Sequence, residues 1–131
     1  METDLDLIVS RVDSIPVLSL SGDVDEFTCA KLRDKIRSLM DAGEFRLVIG
    51  VSGVNYIDSS GLGTLVGGLR RVAEHDGGLA ISGTNPQIER VLSITGLNKI
   101  LPVFEDDDSA VQSLKKKKPR RQKNNSDSAG K

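Results

Sequence analysis

Asp58-Ser59-Ser60-Gly61-Leu62-Gly63 is the stretch of this sequence where hydroxyls, a carboxylate and glycines crowd together ahead of a helical pattern. Four chemistries can be tried on it. A nucleophile elbow needs Gly-x-Ser-x-Gly, but Ile57 and Asp58 stand two residues before the serines. A Ser-His-Asp triad would have to use His75, the single histidine, which lies on the same predicted helix; the ~1.5 Å rise per residue puts it more than ~20 Å from Ser59. Gly61-x-Gly63 opens a dinucleotide fingerprint, but Val66 takes the third glycine position and no Walker lysine follows. With one histidine and one cysteine (Cys29), an ordinary zinc cage is excluded, as is a disulfide framework. An enzyme using Asp58 and Asp25 would need metal-ligand spacing or a general base that the sequence does not offer. No cofactor is expected.

What remains is a serine that is acted upon. A hydroxyl at a helix N-terminus can cap a free backbone N–H, but two serines after an aspartate exceed what one cap requires. Phosphorylation there would add about −1.5 to −2 charges. The free N–H groups and the helix dipole would accept that charge without unfolding the helix. Gly61 and Gly63 each cost roughly 1 kcal/mol against alanine in a helix. Either they let the helix approach a neighbouring backbone, or they leave a bare face, continued by Gly67, on which another protein docks.

The elements that must position this segment are legible from periodicity. Leu5, Leu7 and Val9 alternate with polar residues, and Ile15–Ser21 is a second strand after a short Asp13-Ser14 turn, so the chain opens with a hairpin. Cys29, Leu32, Ile36, Leu39 and Met40 give a helix over about 27–40 that stops at Gly43. Cys29 falls on its buried stripe, where a thiol packs. Phe45–Val51 is a strand apolar on both faces, followed by an expected loop over 52–58. Leu62, Leu65, Val66, Leu69, Val72 and Ala73 mark the second helix, and Leu79–Ser82 the next strand. Asn85-Pro86 is an N-cap followed by proline at the first helical position. Ile88, Val91 and Leu92 form the core face of that third helix, and Gly96-Leu97 is a Schellman-type stop. Ile100–Phe104 is a last strand. A terminal helix then carries Asp106–Asp108 at its start, Ala110, Val111 and Leu114 inside, and lysines at its end, the charge order that the dipole favours. The order ββαβαβαβα predicts an α/β fold: one small, mostly parallel sheet with an opening hairpin, flanked by about four helices.

Charge divides the chain. Residues 1–114 hold 10 Lys/Arg against 18 Asp/Glu, a balance of −8, while 115–131 hold 8 Lys/Arg and only Asp127, a balance of +7. The expected division is a domain over 1–114 and a disordered basic tail over 115–131. With Phe27, Phe45, Phe104 and Tyr56 as the full aromatic set, base-stacking on nucleic acid is not expected, and any such binding would be weak and through the tail. No apolar run is long enough to span a bilayer and the acidic start is unlike a signal peptide, so a cytoplasmic location is expected.

Asp58-Ser59-Ser60-Gly61-Leu62-Gly63 resembles the central motif of the STAS-domain anti-sigma factor antagonists. Leu20-Ser21-Gly22-Asp23-Val24-Asp25, Phe45–Val54 and Gly96-Leu97 extend the resemblance in the same order over about residues 5–114. It implies a small sheet flanked by helices and a partner switch. In that family the unphosphorylated antagonist binds an anti-sigma factor with serine kinase activity, freeing the sigma factor. The kinase uses ATP to phosphorylate the serine after the aspartate, and a metal-dependent serine phosphatase reverses this. By position, Ser59 is the implied phosphoacceptor. Asp58 and Ser60 shape its loop, Asp25 matches the acid of the family's Gly-x-x-Asp segment, and Gly61, Leu62 and Gly63 belong to the docking face. Two features depart from the pattern: Gly50 stands where the family's strand before the motif usually ends in Asp or Asn, and the basic tail is additional. The alternative role is an accessory STAS subunit of a stress-signalling or membrane-transport complex.

Overall fold

The computed structural model describes residues 4–116. The expectation of a disordered tail lies outside the described residues from Lys117 onward. Five strands, β1 (Leu5–Val12), β2 (Ile15–Val24), β3 (Arg46–Ile57), β4 (Gly78–Ser82) and β5 (Val103–Phe104), form one sheet in chain order. Asp13 and Ser14, both at positive φ (51° and 71°), join β1 to β2 in a tight two-residue hairpin. Every later neighbour is parallel. The crossovers are α1 (Cys29–Asp41), α2 (Ser59–Glu74) and α3 (Pro86–Thr95), and α4 (Asp107–Lys116) follows β5.

Successive parallel strands that step in one direction with same-handed crossovers place their helices on one face. Leu32 and Ile36 of α1, Leu62, Leu65 and Val72 of α2, and Ile88 and Leu92 of α3 accordingly pack with Leu47, Ile49 and Val51 of β3 in one large cluster. Val48 points the other way, into a smaller cluster with Val17, Ala80 and the α4 residues Ala110, Val111 and Leu114. That two-sided burial is why Phe45–Val51 is nearly all apolar apart from Arg46.

Four boundaries differ from expectation, each for a physical reason. The segment 52–57 is strand, because β2 runs on to Val24 and carries β3 with it, Val24 opposite Ile57. Register shifts at Ser19/Ser21 and Gly22/Asp23 break the two-residue period, which hid this stretch. A Cβ at Gly53 would lie 2.9 Å from the Leu20 carbonyl oxygen, so glycine permits the close approach there. Helix α1 begins at Cys29 because residues 25–28 form a turn. β5 shrinks to Val103–Phe104 after a 3₁₀ turn over Leu97–Lys99. Lys115 and Lys116 belong to α4, two residues beyond the boundary expected at 114.

The cap signals hold. Asn85 Oδ1 accepts from the Ile88 N–H at 2.9 Å, and its Nδ2 donates to the Val54 carbonyl at 3.0 Å, tying α3 to β3. Gly96 closes α3 at φ 76°. Gly50 lies inside β3, seven residues before its end, and faces α4. A Cβ there would meet Ser82 Oγ at 3.4 Å and Asp107 Oδ1 at 3.7 Å, two atoms that bond each other at 2.5 Å. The place of a polar strand residue is thus taken by a Ser82–Asp107 pair, and Gly50 is remote from the serine segment.

Candidate functional site

The pairing of Val24 with Ile57 brings two turns side by side at one end of the sheet: residues 25–28 leading into α1, and Asp58 leading into α2. In the first, Asp25 is only 7% exposed, and its Oδ1 accepts from the backbone N–H groups of Phe27 (2.9 Å) and Thr28 (3.1 Å). Thr28 Oγ1 donates to the Asp23 carbonyl at 2.7 Å and accepts from the Asp25 N–H at 3.0 Å. This carboxylate closes the turn that leads into α1 by satisfying two of the turn's own N–H groups. Phe27 is 79% exposed at the tip of the turn.

An aspartate closes the second turn as well, here by capping the helix itself. Asp58 is the N-cap of α2, its Oδ1 accepting from the Ser60 N–H at 2.9 Å and the Gly61 N–H at 3.1 Å. Its own N–H donates to the Val24 carbonyl at 3.1 Å, which locks the loop to the end of β2. Because the aspartate caps, neither serine hydroxyl has to. Ser59 is exposed, and its hydroxyl has no protein hydrogen-bond partner among the described residues; Ser60 is half-buried.

The glycines divide between the two uses open to them. A Cβ at Gly61 would sit 2.7 Å from the Val24 carbonyl oxygen and from carbons of Val24 and Ile57, so this glycine lets the helix press onto the sheet. Gly63 and Gly67 have nothing within 4 Å of such an atom and are the bare face. Leu62 is 8% exposed and points into the core, anchoring the first turn with roughly 1.5–3 kcal/mol of burial.

Alongside Ser59 runs a groove of about 310 Å³ between α1 and α2. Cys29 and Arg33 line it from α1, and Ser59, Ser60, Gly63 and Arg71 from α2. Phe27, at the tip of its turn, and Arg33, on α1, carry no motif in the sequence, because which elements are neighbours is set by the topology. Cys29 is buried, as its stripe predicted. Among the described residues no cluster of three or more His, Cys, Asp or Glu could hold a metal ion, and no helix is long and apolar enough to cross a membrane.

This geometry has known counterparts. The family model described as "Mlab, STAS domain" matches residues 8–102. The anti-sigma F factor antagonist of Paenibacillus polymyxa is 30% identical over 104 residues, 76% of this chain and 86% of the relative. The anti-sigma-B factor antagonist of Staphylococcus aureus is 28% identical over 78% of this chain and 94% of its own. The chain belongs to the STAS-domain anti-sigma factor antagonist family. The fold of this STAS domain agrees: the crystal structure of an anti-sigma factor antagonist from Mycobacterium paratuberculosis superposes with a TM-score of 0.77 at 26% identity, covering 86% of this chain and 95% of that one. In the STAS domain described here, the serine-bearing turn is held by Asp58, Gly61 and Leu62, while Ser59 and Gly63 stay accessible.

Proposed function

We propose that this STAS domain is an anti-sigma factor antagonist switched by phosphorylation of Ser59. Unphosphorylated, it binds an anti-sigma factor that has serine kinase activity. The kinase then transfers the γ-phosphoryl of ATP to Ser59 Oγ; the hydroxyl proton passes to a base of the kinase and ADP leaves. The added charge and bulk release the partner, and a metal-dependent serine phosphatase resets the switch. The observation that supports this reading best is the division of labour at the start of α2: Asp58 takes the cap, leaving the Ser59 hydroxyl exposed and uncommitted. Asp25, Asp58, Gly61 and Leu62 hold the platform; Ser59, Ser60 and Gly63 form the surface the partner reads. A coupling of ~1–3 kcal/mol between modification and docking changes affinity about 5- to 150-fold, enough to switch.

The test is a pull-down from cells of the source organism with wild type, Ser59→Ala and Ser59→Asp, followed by labelling of the recovered complexes with ATP. Recovery of an ATP-binding anti-sigma kinase by wild type and Ser59→Ala, with phosphate incorporated in wild type only, is the expected result. Continued labelling of Ser59→Ala at Ser60 would overturn the assignment of the acceptor. Recovery of membrane-transport subunits instead would assign the accessory role.

A further inference from the structure

The groove beside Ser59 carries a charge opposite to that of its domain. Residues 1–114 hold 18 acidic and 10 basic side chains, yet the groove is lined by two arginines and no acid. Neither Arg33 nor Arg71 forms an ion pair with a carboxylate among the described residues. Two guanidinium groups left unpaired around one cleft of an acidic body are placed for an anion.

Their positions along the groove differ. Arg33 lies one turn into α1, and its Nη1 reaches back to 3.9 Å from Sγ of Cys29, the first residue of that helix. Ser59 is the first residue of α2, and the strands feeding the two helices end in register. The Arg33 fork is therefore turned toward the end of the groove where the Ser59 hydroxyl opens. Arg71 is twelve residues down α2, roughly 18 Å along the axis. That is beyond the reach of a side chain to residue 59.

From this we infer that Arg33 clasps the phosphoryl group of phosphorylated Ser59, closing the upper end of the α1–α2 groove over Gly63. The inference rests on Ser59 being the acceptor. A guanidinium fork and a phosphate match in a bidentate pair, which a single point charge cannot reproduce. Phosphorylation then does more than repel: it fills the bare strip that unphosphorylated protein offers to its partner. Ser59→Asp, shorter and with less charge, would leave the strip open and mimic the modified state poorly.

The experiment installs phosphoserine at position 59 of the full chain during translation, so that no kinase is involved. The second ionisation of the phosphate is followed by ³¹P NMR in wild type, Arg33→Gln and Arg71→Gln. A contact with Arg33 is expected to hold the phosphate pKa roughly 0.5–1 lower in wild type than in Arg33→Gln, with Arg71→Gln matching wild type. The Arg33 Nε–H resonance should also move on phosphorylation, which reads the contact in the intact chain if Arg33→Gln folds poorly. Coincident titrations of wild type and Arg33→Gln with an unmoved Arg33 resonance would falsify the clasp. Equal shifts in both variants would replace it with a diffuse field. Kinase labelling of Ser59 stands or falls separately, so loss of the clasp and loss of the acceptor are told apart.

Discussion

Alanine at Gly61 and at Gly63 should change this protein in opposite directions, although the two glycines are one intervening residue apart on one helix. Each substitution gains about 1 kcal/mol of helix propensity. At Gly63 nothing within 4 Å opposes the new methyl group, so the gain is expected in full. At Gly61 the methyl would sit 2.7 Å from the Val24 carbonyl oxygen, a backbone atom that cannot rotate away and that already accepts the Asp58 N–H. Overpacking of this kind costs about 1–3 kcal/mol, and here the clash with Val24 and Ile57 side chains compounds it, so the net effect is a loss of about 1–2 kcal/mol. For a domain of this size, a change of 1 kcal/mol moves Tm by roughly 4–8 °C or a little less. Urea unfolding followed by circular dichroism measures both variants, and titration calorimetry with the partner measures binding. Gly63→Ala is expected to be more stable than wild type yet to bind more weakly, because the methyl occupies the bare face. A destabilised Gly63→Ala would refute the open face at that position, and a Gly61→Ala as stable as wild type would refute the close approach of α2 to the strand ends.

Asp58→Ala removes the acceptor for the Ser60 and Gly61 N–H groups and should cost about 1 kcal/mol in urea unfolding, with Asp58→Asn recovering most of it. The same Asp58→Ala change should slow phosphorylation of Ser59 in a reconstituted kinase assay, since an uncapped first turn frays. At the start of α4, the Ser109 backbone N–H donates to Asp106 Oδ1 at 2.8 Å and holds that carboxyl below its ordinary range. A depressed folded pKa contributes stability that is present above the unfolded value and disappears as pH falls through the folded one. Urea midpoints measured from pH 6 to about pH 3 should therefore fall less steeply in Asp106→Asn than in wild type; parallel curves would refute the link.

Much of this fold could be read before any coordinates. The strict period of Leu62, Leu65, Val66, Leu69 and Val72 names α2, and Asn85-Pro86 and Gly96 name both ends of α3, because each signal is local to the element it marks. What could not be read depends on contacts between distant residues. The end of β3 is concealed because its bulges against β2 space Val54 and Ile57 three apart. Gly50 reads as the end of a strand, yet it is an interior position kept small for Ser82 and for Asp107, a residue 57 positions away. Within the site, the serine turn was legible as a motif, and burial separates its parts: Asp25, Gly61 and Leu62 lie beneath the surface that Ser59 and Gly63 present. Arg33 carries no signal in the sequence, because its place across the groove from Ser59 depends on how α1 packs beside α2.

That burial pattern bears on how a switch here would work. The turn before α1 is closed by Asp25, the turn before α2 by Asp58, and both are tied to the same strand end, through the Asp23 and Val24 carbonyls. A platform held from beneath by hydrogen bonds and by a buried leucine has little freedom to refold when a group is added on top. The phosphate at Ser59 would then act locally, by changing the charge and shape of a preformed surface. The exposed Phe27 of the neighbouring turn offers the kind of rigid aromatic anchor around which binding energy concentrates. On this reading Phe27→Ala weakens the unphosphorylated complex by tenfold or more while leaving the unfolding midpoint unchanged, since a side chain 79% exposed contributes little to the core. Unaltered affinity in Phe27→Ala, measured by the same calorimetry, would place the partner on the α2 side of the groove alone.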